Sequence, residues 1–352
     1  GAFTERMFGP RLTQAFRELK LLFDPEGLLN PGKITDTPPF AENLRLSPKT
    51  VNARPSTLLD FSADGGLAGA AEQCNGQGAC RKHDGGMCPS FFVTGEEEHS
   101  TRGRANLLRE ALNGGLAESE LVSERMMQAL DLCVECKACK SECPSGVDMA
   151  KLKYEVLTKH YQAHGTPLRS RAFARINLLS RLGAVFGGGA APLINAVNRL
   201  GPFRALLERY GRIDRRRPLP QFASTSFPRW WSRHTASRRD APRGDVVYFD
   251  DTFTDYYQPE VGQAAVRVLE ALGYRVRVVS QLACCGRPAI SQGQLGLAKR
   301  WATQNVEALL RFAEQGVPIV GTEPSCLLSL RDEYPELVQS KAARVVAGQA
   351  LL

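Results

Sequence analysis

A run of four cysteines in the stretch CVECKACKSECP most tightly constrains what this chain can fold into. Two, two and three residues separate Cys133, Cys136, Cys139 and Cys143, and Pro144 follows directly. This spacing, closed by Cys-Pro, is typical of bacterial runs that ligate iron–sulfur clusters. Structural zinc usually takes two separated pairs of ligands instead. We therefore predict an iron–sulfur site here, with a zinc-binding structural scaffold as the alternative.

A second cysteine group, CNGQGACRKHDGGMCP, precedes the run and is one thiol short. Gln77 stands where a regular run would carry its second cysteine. In proteins with two such clusters, the cysteine before proline ligates the other cluster. That crossing predicts one complete set, Cys88, Cys133, Cys136 and Cys139, and one set of three, Cys74, Cys80 and Cys143.

The set of three thiols leaves the type of the second cluster open. A missing thiolate permits a 3Fe-4S cluster, a 4Fe-4S cluster with another ligand, or a labile iron. Gln77 is a poor ligand for iron, so we favour the three-iron form. His83 is the other candidate ligand, although a single loop histidine is more commonly a surface residue.

Composition places the chain among ordinary globular proteins. Hydrophobic residues make up 43% and charged residues 23% of its 352 residues, and no apolar run approaches the 18 residues of a membrane span. The opening GAFTERMFGP has neither an initiator Met nor a signal peptide, so we expect a piece cut from a longer protein. Ten cysteines in ligand-like groups predict a reducing, cytoplasmic location.

Positive charge concentrates between Gly165 and Arg243, where sixteen arginines and no lysine stand against three acids. Because the net charge of the whole chain is +8, the remainder is acidic. Arginines alternate with apolar runs there, as in amphipathic helices that lie on anionic membranes. We expect peripheral contact with the inner face of the cytoplasmic membrane, the alternative being a helical connector with a solvated face. No nucleic-acid-binding motif is visible, so no nucleic-acid partner is expected.

Residue patterns divide the chain into five segments and predict their structure. A helix around Pro10 to Phe23 is ended by FDPEGLLNPGKI, and helices are also predicted at RANLLREALNGG and DMAKLKYEVLTKHYQ. After Asp245, short β-branched runs alternate with helical ones, which favours βαβ units around a parallel sheet. The segments are 1–35, a linker at 36–70, a cysteine-bearing domain at 71–162, a basic amphipathic helical segment and linker at 163–244, and 245–352.

The two cysteine groups resemble the α-helical ferredoxin domain of iron–sulfur subunits in anaerobic glycerol-3-phosphate dehydrogenase, glycolate oxidase and succinate dehydrogenase. FDPEGLLNPGKI resembles the closing segment of FAD-linked oxidases, which makes 1–35 the tail of such a domain. The order of this segment, the linker and the two cysteine groups along the chain is similar to that of single-chain FAD and iron–sulfur D-2-hydroxyacid dehydrogenases. The resemblance implies FAD in a domain outside this chain, two clusters at 71–162, no catalytic residue here, and electron transfer to a quinone or other membrane acceptor.

The last segment, 245–352, resembles part of the cysteine-rich CCG domain of those proteins and of heterodisulfide reductase. ACCGRPAIS supplies Cys284 and Cys285, and TEPSC supplies Cys326. A further CCG cysteine is replaced by the region of Asp250 and Asp251. These three thiols are candidate metal ligands or, alternatively, the reactive thiols of a heterodisulfide-reductase-like component. Buried structural cysteines are the plainer interpretation.

Two arginines in HSTRGRANLL stand at a predicted helix start, with Ser100 or Thr101 as its cap. For Arg102 and Arg104 we consider two roles. One is docking of the flavin domain or tuning of a cluster potential by positive charge. The other is a solvated helix terminus, since arginine is mostly exposed.

Overall fold

The computed structural model describes residues 3–42, 44, 50, 53–187, 191–235, 241–280 and 282–352. The chain forms two compact units, Gly1–Val51 and Asn52–Leu352. The second unit contains both predicted domains, a helical one and an α/β one with a parallel sheet, and this fold class is confirmed.

Helices make up most of the described structure. The helices of the first half are α1 (Thr4–Phe23), α2 (Leu67–Glu72), α3 (Pro89–Thr94), α4 (Thr101–Leu112), α5 (Glu124–Asp131), α6 (Ala138–Glu142), α7 (Met149–His164), α8 (Leu168–Ala174) and α9 (Ile176–Gly187). Those of the second half are α10 (Ala191–Arg199), α11 (Gly201–Gly211), α12 (Phe227–Trp231), α13 (Thr252–Tyr256), α14 (Pro259–Ala271), α15 (Arg287–Ser291), α16 (Leu295–Ala313), α17 (Pro324–Leu328), α18 (Tyr334–Val338) and α19 (Lys341–Gln349). The strands are β1 (Asp245–Tyr248), β2 (Arg275–Val278) and β3 (Ile319–Val320).

The first unit is built on α1, which begins earlier than the predicted start at Pro10. A kink at Gly9, whose φ is +78°, joins a short helical turn to the predicted helix. The helix ends at Phe23 as predicted. Asp24 then accepts hydrogen bonds from the backbone N–H groups of Leu28 and Leu29, both at 2.8 Å, which folds the loop after the helix. Part of the predicted 36–70 linker, residues 43, 45–49, 51 and 52, lies outside the described residues.

The later part of that linker packs into the second unit rather than extending into solvent. Leu59 and Phe61 are buried in the same core as α4 and α7. The carboxylate of Glu155, on α7, accepts backbone hydrogen bonds from Leu58 and Leu59 at 3.1 Å. Because Glu155 is itself buried, this contact fixes the segment that leads into the cysteine groups.

The sheet has strand order β2-β1-β3 and all its pairs are parallel, as predicted. Val246, Val247 and Tyr248 of the central strand are buried, as expected of a strand covered on both faces. In a parallel sheet the chain leaves every strand at the same edge. The sheet therefore brings together the loops that begin at Phe249, Val279 and Gly321.

The basic segment forms α8 to α12. Its apolar side chains are largely exposed on α10 and α11, where α11 has no buried residue. Residues 188–190 and 236–240, with Arg238 and Arg239 among them, lie outside the described residues. No helix in the described ranges is both long and apolar enough to cross a membrane.

Candidate metal centre

The first cysteine group is positioned by the start of α4. The backbone N–H of Thr101 donates to Cys88 Sγ at 3.0 Å, and the Thr101 hydroxyl lies 2.9 Å from the same sulfur. The next N–H, that of Arg102, donates to Cys80 Sγ at 3.3 Å. Ser100 caps the helix by accepting from Gly103 N–H at 2.9 Å, as predicted for this position. Two unpaired N–H groups of a helix start are thus directed at two thiols.

Electrostatics distinguish these thiols. Cys74, Cys80 and Cys88 are all buried. A hydrogen bond from Cys88, with help from the Arg102 N–H, lowers the pKa of Cys80 to about 6. The hydrogen bond to Cys80 and burial raise the pKa of Cys88. Because metals bind thiolates, the site favours deprotonation of one thiol before its neighbour.

The second cysteine group forms a tight loop before α6. Glu135 and Lys137, on either side of Cys136, have positive φ angles of 59° and 60°, which turn the chain around this exposed cysteine. Cys139 is buried at the start of α6, and burial raises its pKa to about 11. Cys143 is half-buried and directly follows α6.

One cavity joins the two groups. Thr101, Arg104 and Met149 contribute to its lining. The cysteines in that lining are Cys88, Cys133, Cys136 and Cys139. Glu142 links the same segments, since its carboxylate accepts from the N–H groups of Gly86 and Met87 at 3.1 Å.

The described part of the chain contains no group of three His, Cys, Asp or Glu side chains placed closely enough to hold a single metal ion. A cluster has a different requirement, since its own iron and sulfide atoms separate its thiolates. Four thiols around a cavity, three of them from one loop, suit a cluster as a donor set. Sulfur ligands are also those that iron–sulfur clusters and other soft metal centres prefer.

The cysteines of the other predicted set, Cys74, Cys80 and Cys143, do not line this cavity. Cys74 and Cys80 both lie near the Arg102 guanidinium, whose pKa is raised chiefly by its hydrogen bond to Glu97. Gln77 is exposed, as is His83, whose ring lies 5.7 Å from that of Phe91.

The alternative that Arg104 lies at a solvated helix terminus is wrong, because the residue is 2% exposed. Its Nε donates to the carbonyl of Ala129 at 2.8 Å, and its Nη2 donates to Ser90 Oγ at 3.1 Å. Arg104 thus brings a fixed positive charge to the cavity. Arg102 is partly exposed and pairs with Glu97 at 2.7 Å.

The C-terminal thiols meet at the carboxyl edge of the sheet. Cys285 Sγ lies 3.0 Å from Cys326 Sγ, and Cys284 is half-buried beside them. Hydrogen bonding to Cys285 and burial raise the pKa of Cys284. Asn305 holds the loop, since its side chain bonds to both backbone groups of Ala283. The three thiols predicted to act together are therefore neighbours.

Three aspartates, Asp250, Asp251 and Asp255, lie at the same edge, near the place where the resemblance would put another cysteine. Burial raises the pKa of Asp250 to about 6. Burial and the neighbouring Asp250 raise the pKa of Asp255 to about 9. Asp255 Oδ1 is buried without a hydrogen-bond partner. Asp251 instead caps α13 by accepting from Phe253 and Thr254.

Sequence reasoning missed the charged residues that hold the cysteine loops. Glu142 and Lys153 are examples: Lys153 donates to the carbonyl of Cys133 at 2.6 Å. Glu142 lies inside the cysteine run itself, so a carboxylate next to Cys143 was the available signal. Nothing in the local sequence around Lys153 marks its contact.

Comparison with known proteins identifies three parts of the chain. Residues 70–147 match the 4Fe-4S dicluster domain, and 246–331 match the cysteine-rich domain, CCG. Residues 1–34 match the C-terminal domain of FAD linked oxidases. No solved structure gives a significant match.

Relatives of known name share these parts. Over 196 residues, covering 55% of this chain and 48% of the relative, the chain is 32% identical to a subunit of the anaerobic glycerol-3-phosphate dehydrogenase of Escherichia coli K12. It is 27% identical over 383 residues to D-2-hydroxyglutarate dehydrogenase of the same strain, covering 94% of this chain and 36% of the relative. It is 26% identical over 267 residues to the glycolate oxidase iron–sulfur subunit of that strain, covering 72% and 57%.

The chain thus spans about half or less of the length of the first two of these relatives. Its three matched parts follow one another in the order oxidase tail, dicluster domain, cysteine-rich domain. The chain is therefore similar to D-2-hydroxyglutarate dehydrogenase, to a subunit of anaerobic glycerol-3-phosphate dehydrogenase and to the glycolate oxidase iron–sulfur subunit, in each case over part of that protein's length.

Proposed function

We propose that this chain carries electrons from the reduced flavin of a D-2-hydroxyacid dehydrogenase, through two iron–sulfur clusters, to a quinone or other membrane acceptor. The observation that carries the proposal is the cavity lined by Cys88 from one cysteine group and three cysteines from the other. This is the complete set that the crossing of ligands between groups requires. Its members would hold a 4Fe-4S cluster.

When bound, such a cluster accepts and returns one electron at a time. The residues of this chain determine how easily it does so. N–H groups directed at Cys80 and Cys88, and the buried charge of Arg104, stabilise negative charge on the sulfurs. The apolar core shields Cys74, Cys80, Cys88 and Cys139 from water. Cys74, Cys80 and Cys143 would hold the second cluster, for which we favour the three-iron form.

The first unit supports a flavin-domain partner. Residues 1–34 match the end of an FAD-linked oxidase domain. Many of its apolar side chains are exposed, including Met7 at 78%, Leu22 at 78% and Phe23 at 80%. Such side chains are expected to be covered when the remainder of a domain is present. We infer that they pack against the FAD-binding domain, in the same or a separate polypeptide.

The basic helices support a membrane acceptor. Leu193, Leu206 and Tyr210, on α10 and α11, are 66%, 54% and 74% exposed. Arg209 and Arg212 are exposed beside them. Apolar side chains interleaved with arginine are the pattern of helices that lie on anionic lipid. We expect the protein to sediment with vesicles containing anionic lipid and to be released by salt.

Electron paramagnetic resonance tests the relay on the full chain purified without oxygen, with iron and zinc counted on the same sample. We expect a four-iron signal after dithionite and an oxidised signal near g of about 2.01 from a three-iron cluster. Only reduced signals, with about eight iron, would mean that another ligand completes the second cluster. Stoichiometric zinc in colourless protein would refute the relay.

Two matched substitutions assign the clusters. Cys139→Ser removes a thiol from the complete set, and Cys74→Ser removes one from the set of three. We expect each variant to lose a different signal and to keep the other. Loss of the same signal in both variants would contradict the crossed assignment.

A further inference from the structure

The loop around Cys136 carries two charged residues, each of which has a partner in the C-terminal region. Glu135 Oε2 lies 3.4 Å from Arg287 Nη1. Lys137 forms an ion pair with Glu333. An acid and a base on either side of one cysteine are thus paired with a base and an acid from the C-terminal region. We call these four residues the crossed ion pairs.

Burial shows that these pairs are part of the folded structure rather than surface contacts. The side chains of Glu135 and Glu333 are 9% and 7% exposed, and that of Arg287 is 26% exposed. Arg287 also donates to the Tyr154 hydroxyl at 2.9 Å. Lys153 provides Glu135 with a second cation at 3.2 Å. Partly buried charges of this kind are screened little by salt.

The C-terminal partners stand next to the three thiols. Arg287 begins α15 two residues after Cys285, and Gly286 between them has a φ of +89°. Glu333 directly precedes Tyr334, whose hydroxyl is held by the same Asn305 that fixes the loop before Cys284. The crossed ion pairs therefore connect the cluster loop to the segments that flank and support the C-terminal thiols.

We propose that Arg287 and Glu333 are positioning residues that hold the Cys133–Cys139 loop against the C-terminal thiols and set the potential of that loop's cluster through the crossed ion pairs. This inference rests on the proposed function, since it requires a cluster in the cavity lined by Cys133, Cys136 and Cys139. Reduction adds negative charge to the cluster. A nearby positive charge therefore raises the potential, and a nearby negative charge lowers it.

The two residues have opposite charges, which gives the test a signature that loss of structure cannot imitate. Arg287→Gln leaves the Glu135 carboxylate less compensated and is expected to lower the potential. Glu333→Gln leaves the Lys137 ammonium unpaired and is expected to raise it. In each variant the ratio of reduced to oxidised cluster, at a fixed solution potential, should change severalfold. The double variant should return towards the wild-type value.

The measurement is a redox titration followed by electron paramagnetic resonance on the full, cluster-loaded chain. The relevant signal is the one that Cys139→Ser abolishes, and the signal of the second cluster is the internal reference. Arg287→Lys keeps the charge and should keep the potential. Arg277→Gln, which removes an arginine that pairs with Asp245 on the sheet, is the matched control and should change neither cluster.

Opposite shifts confined to the Cys139-dependent signal support the inference. Shifts of the same sign in both variants, equal shifts in both clusters, or no shift overturn it while leaving the electron relay intact. Absence of any cluster signal in the wild-type protein overturns the relay itself. If Arg287→Gln fails to fold, the comparison of Arg287→Lys with Glu333→Gln still tests the inference. Only Glu333→Gln changes the charge of a crossed ion pair, so only that variant should shift the potential.

Discussion

Two carboxyl groups at the carboxyl edge of the sheet show what burial does to single titratable residues. Asp250 and Asp255 lie close together, and burial raises the pKa of both carboxyls, to about 6 and about 9. Asp255 Oδ1 is buried without a partner. A buried carboxylate that lacks compensation destabilises the folded state unless it is protonated.

This pair predicts a stability that falls as pH rises. Between the ordinary pKa of 3.8 and about 9, the folded Asp255 holds a proton that the unfolded chain has lost. We expect Asp255→Asn to flatten the decline and to stabilise the protein at pH 8 by about 1–3 kcal/mol. Thermal midpoints by circular dichroism from pH 5 to pH 8 measure it. Asp245→Asn, at an exposed ion pair, is the control, and parallel profiles for both variants would contradict the assignment.

Among the elements, α4 is the helix whose start donates backbone hydrogen bonds to two cysteines. Its first two N–H groups donate to Cys88 and Cys80. Its cap, Ser100, is fully buried, so the start of the helix is held in one place. The prediction of a capped helix from HSTRGRANLL was confirmed. The contact of this helix with the thiols depends on how the chain between Cys88 and Ser100 folds back, and helix periodicity does not encode that turn.

The cap predicts a specific effect on cluster retention. Ser100→Ala and Ser123→Ala each remove an N-cap hydrogen bond, at 2.9 Å in α4 and 3.2 Å in α5. Each should cost about 1 kcal/mol of stability. We expect only Ser100→Ala to accelerate loss of visible absorbance in the presence of an iron chelator. Equal acceleration by both variants would show that global stability, rather than the start of α4, limits cluster loss.

At the scale of the whole molecule, the two matched domains meet in one of the three hydrophobic clusters of the described residues. Ile290 and Leu295, from the C-terminal region, are buried in the same cluster as Leu108 and Leu130 of the dicluster region. The crossed ion pairs reinforce this contact. Asn52–Leu352 accordingly forms one compact unit. Domains that share a core are expected to unfold together.

Two spectroscopic probes report unfolding in different parts of the unit Asn52–Leu352. The three tryptophans, Trp230, Trp231 and Trp301, report the C-terminal half, and cluster absorbance reports the dicluster region. We expect both signals to change in one thermal transition. Leu309→Ala, a fully buried side chain in the separate core below the sheet, should lower both midpoints together and cost about 2–5 kcal/mol. An unchanged absorbance midpoint would mean that the domains unfold independently.

The sequence by itself determined the local features of this protein. Helices α4, α7, α14 and α16, the three strands and the Ser100 cap follow from periodicity, β-branched runs and capping chemistry. The spacing of cysteines determined which residues are candidate ligands, because a cluster requires thiols at defined intervals.

Only the tertiary structure decided which distant side chains meet. It buried Arg104, which composition places on the surface, and it placed Arg287 beside Glu135, 152 residues away. It also brought Cys285 to Cys326 through the order of strands in a parallel sheet. Such contacts depend on how helices and strands pack, and no local pattern of residues specifies the partner of a charge across the fold.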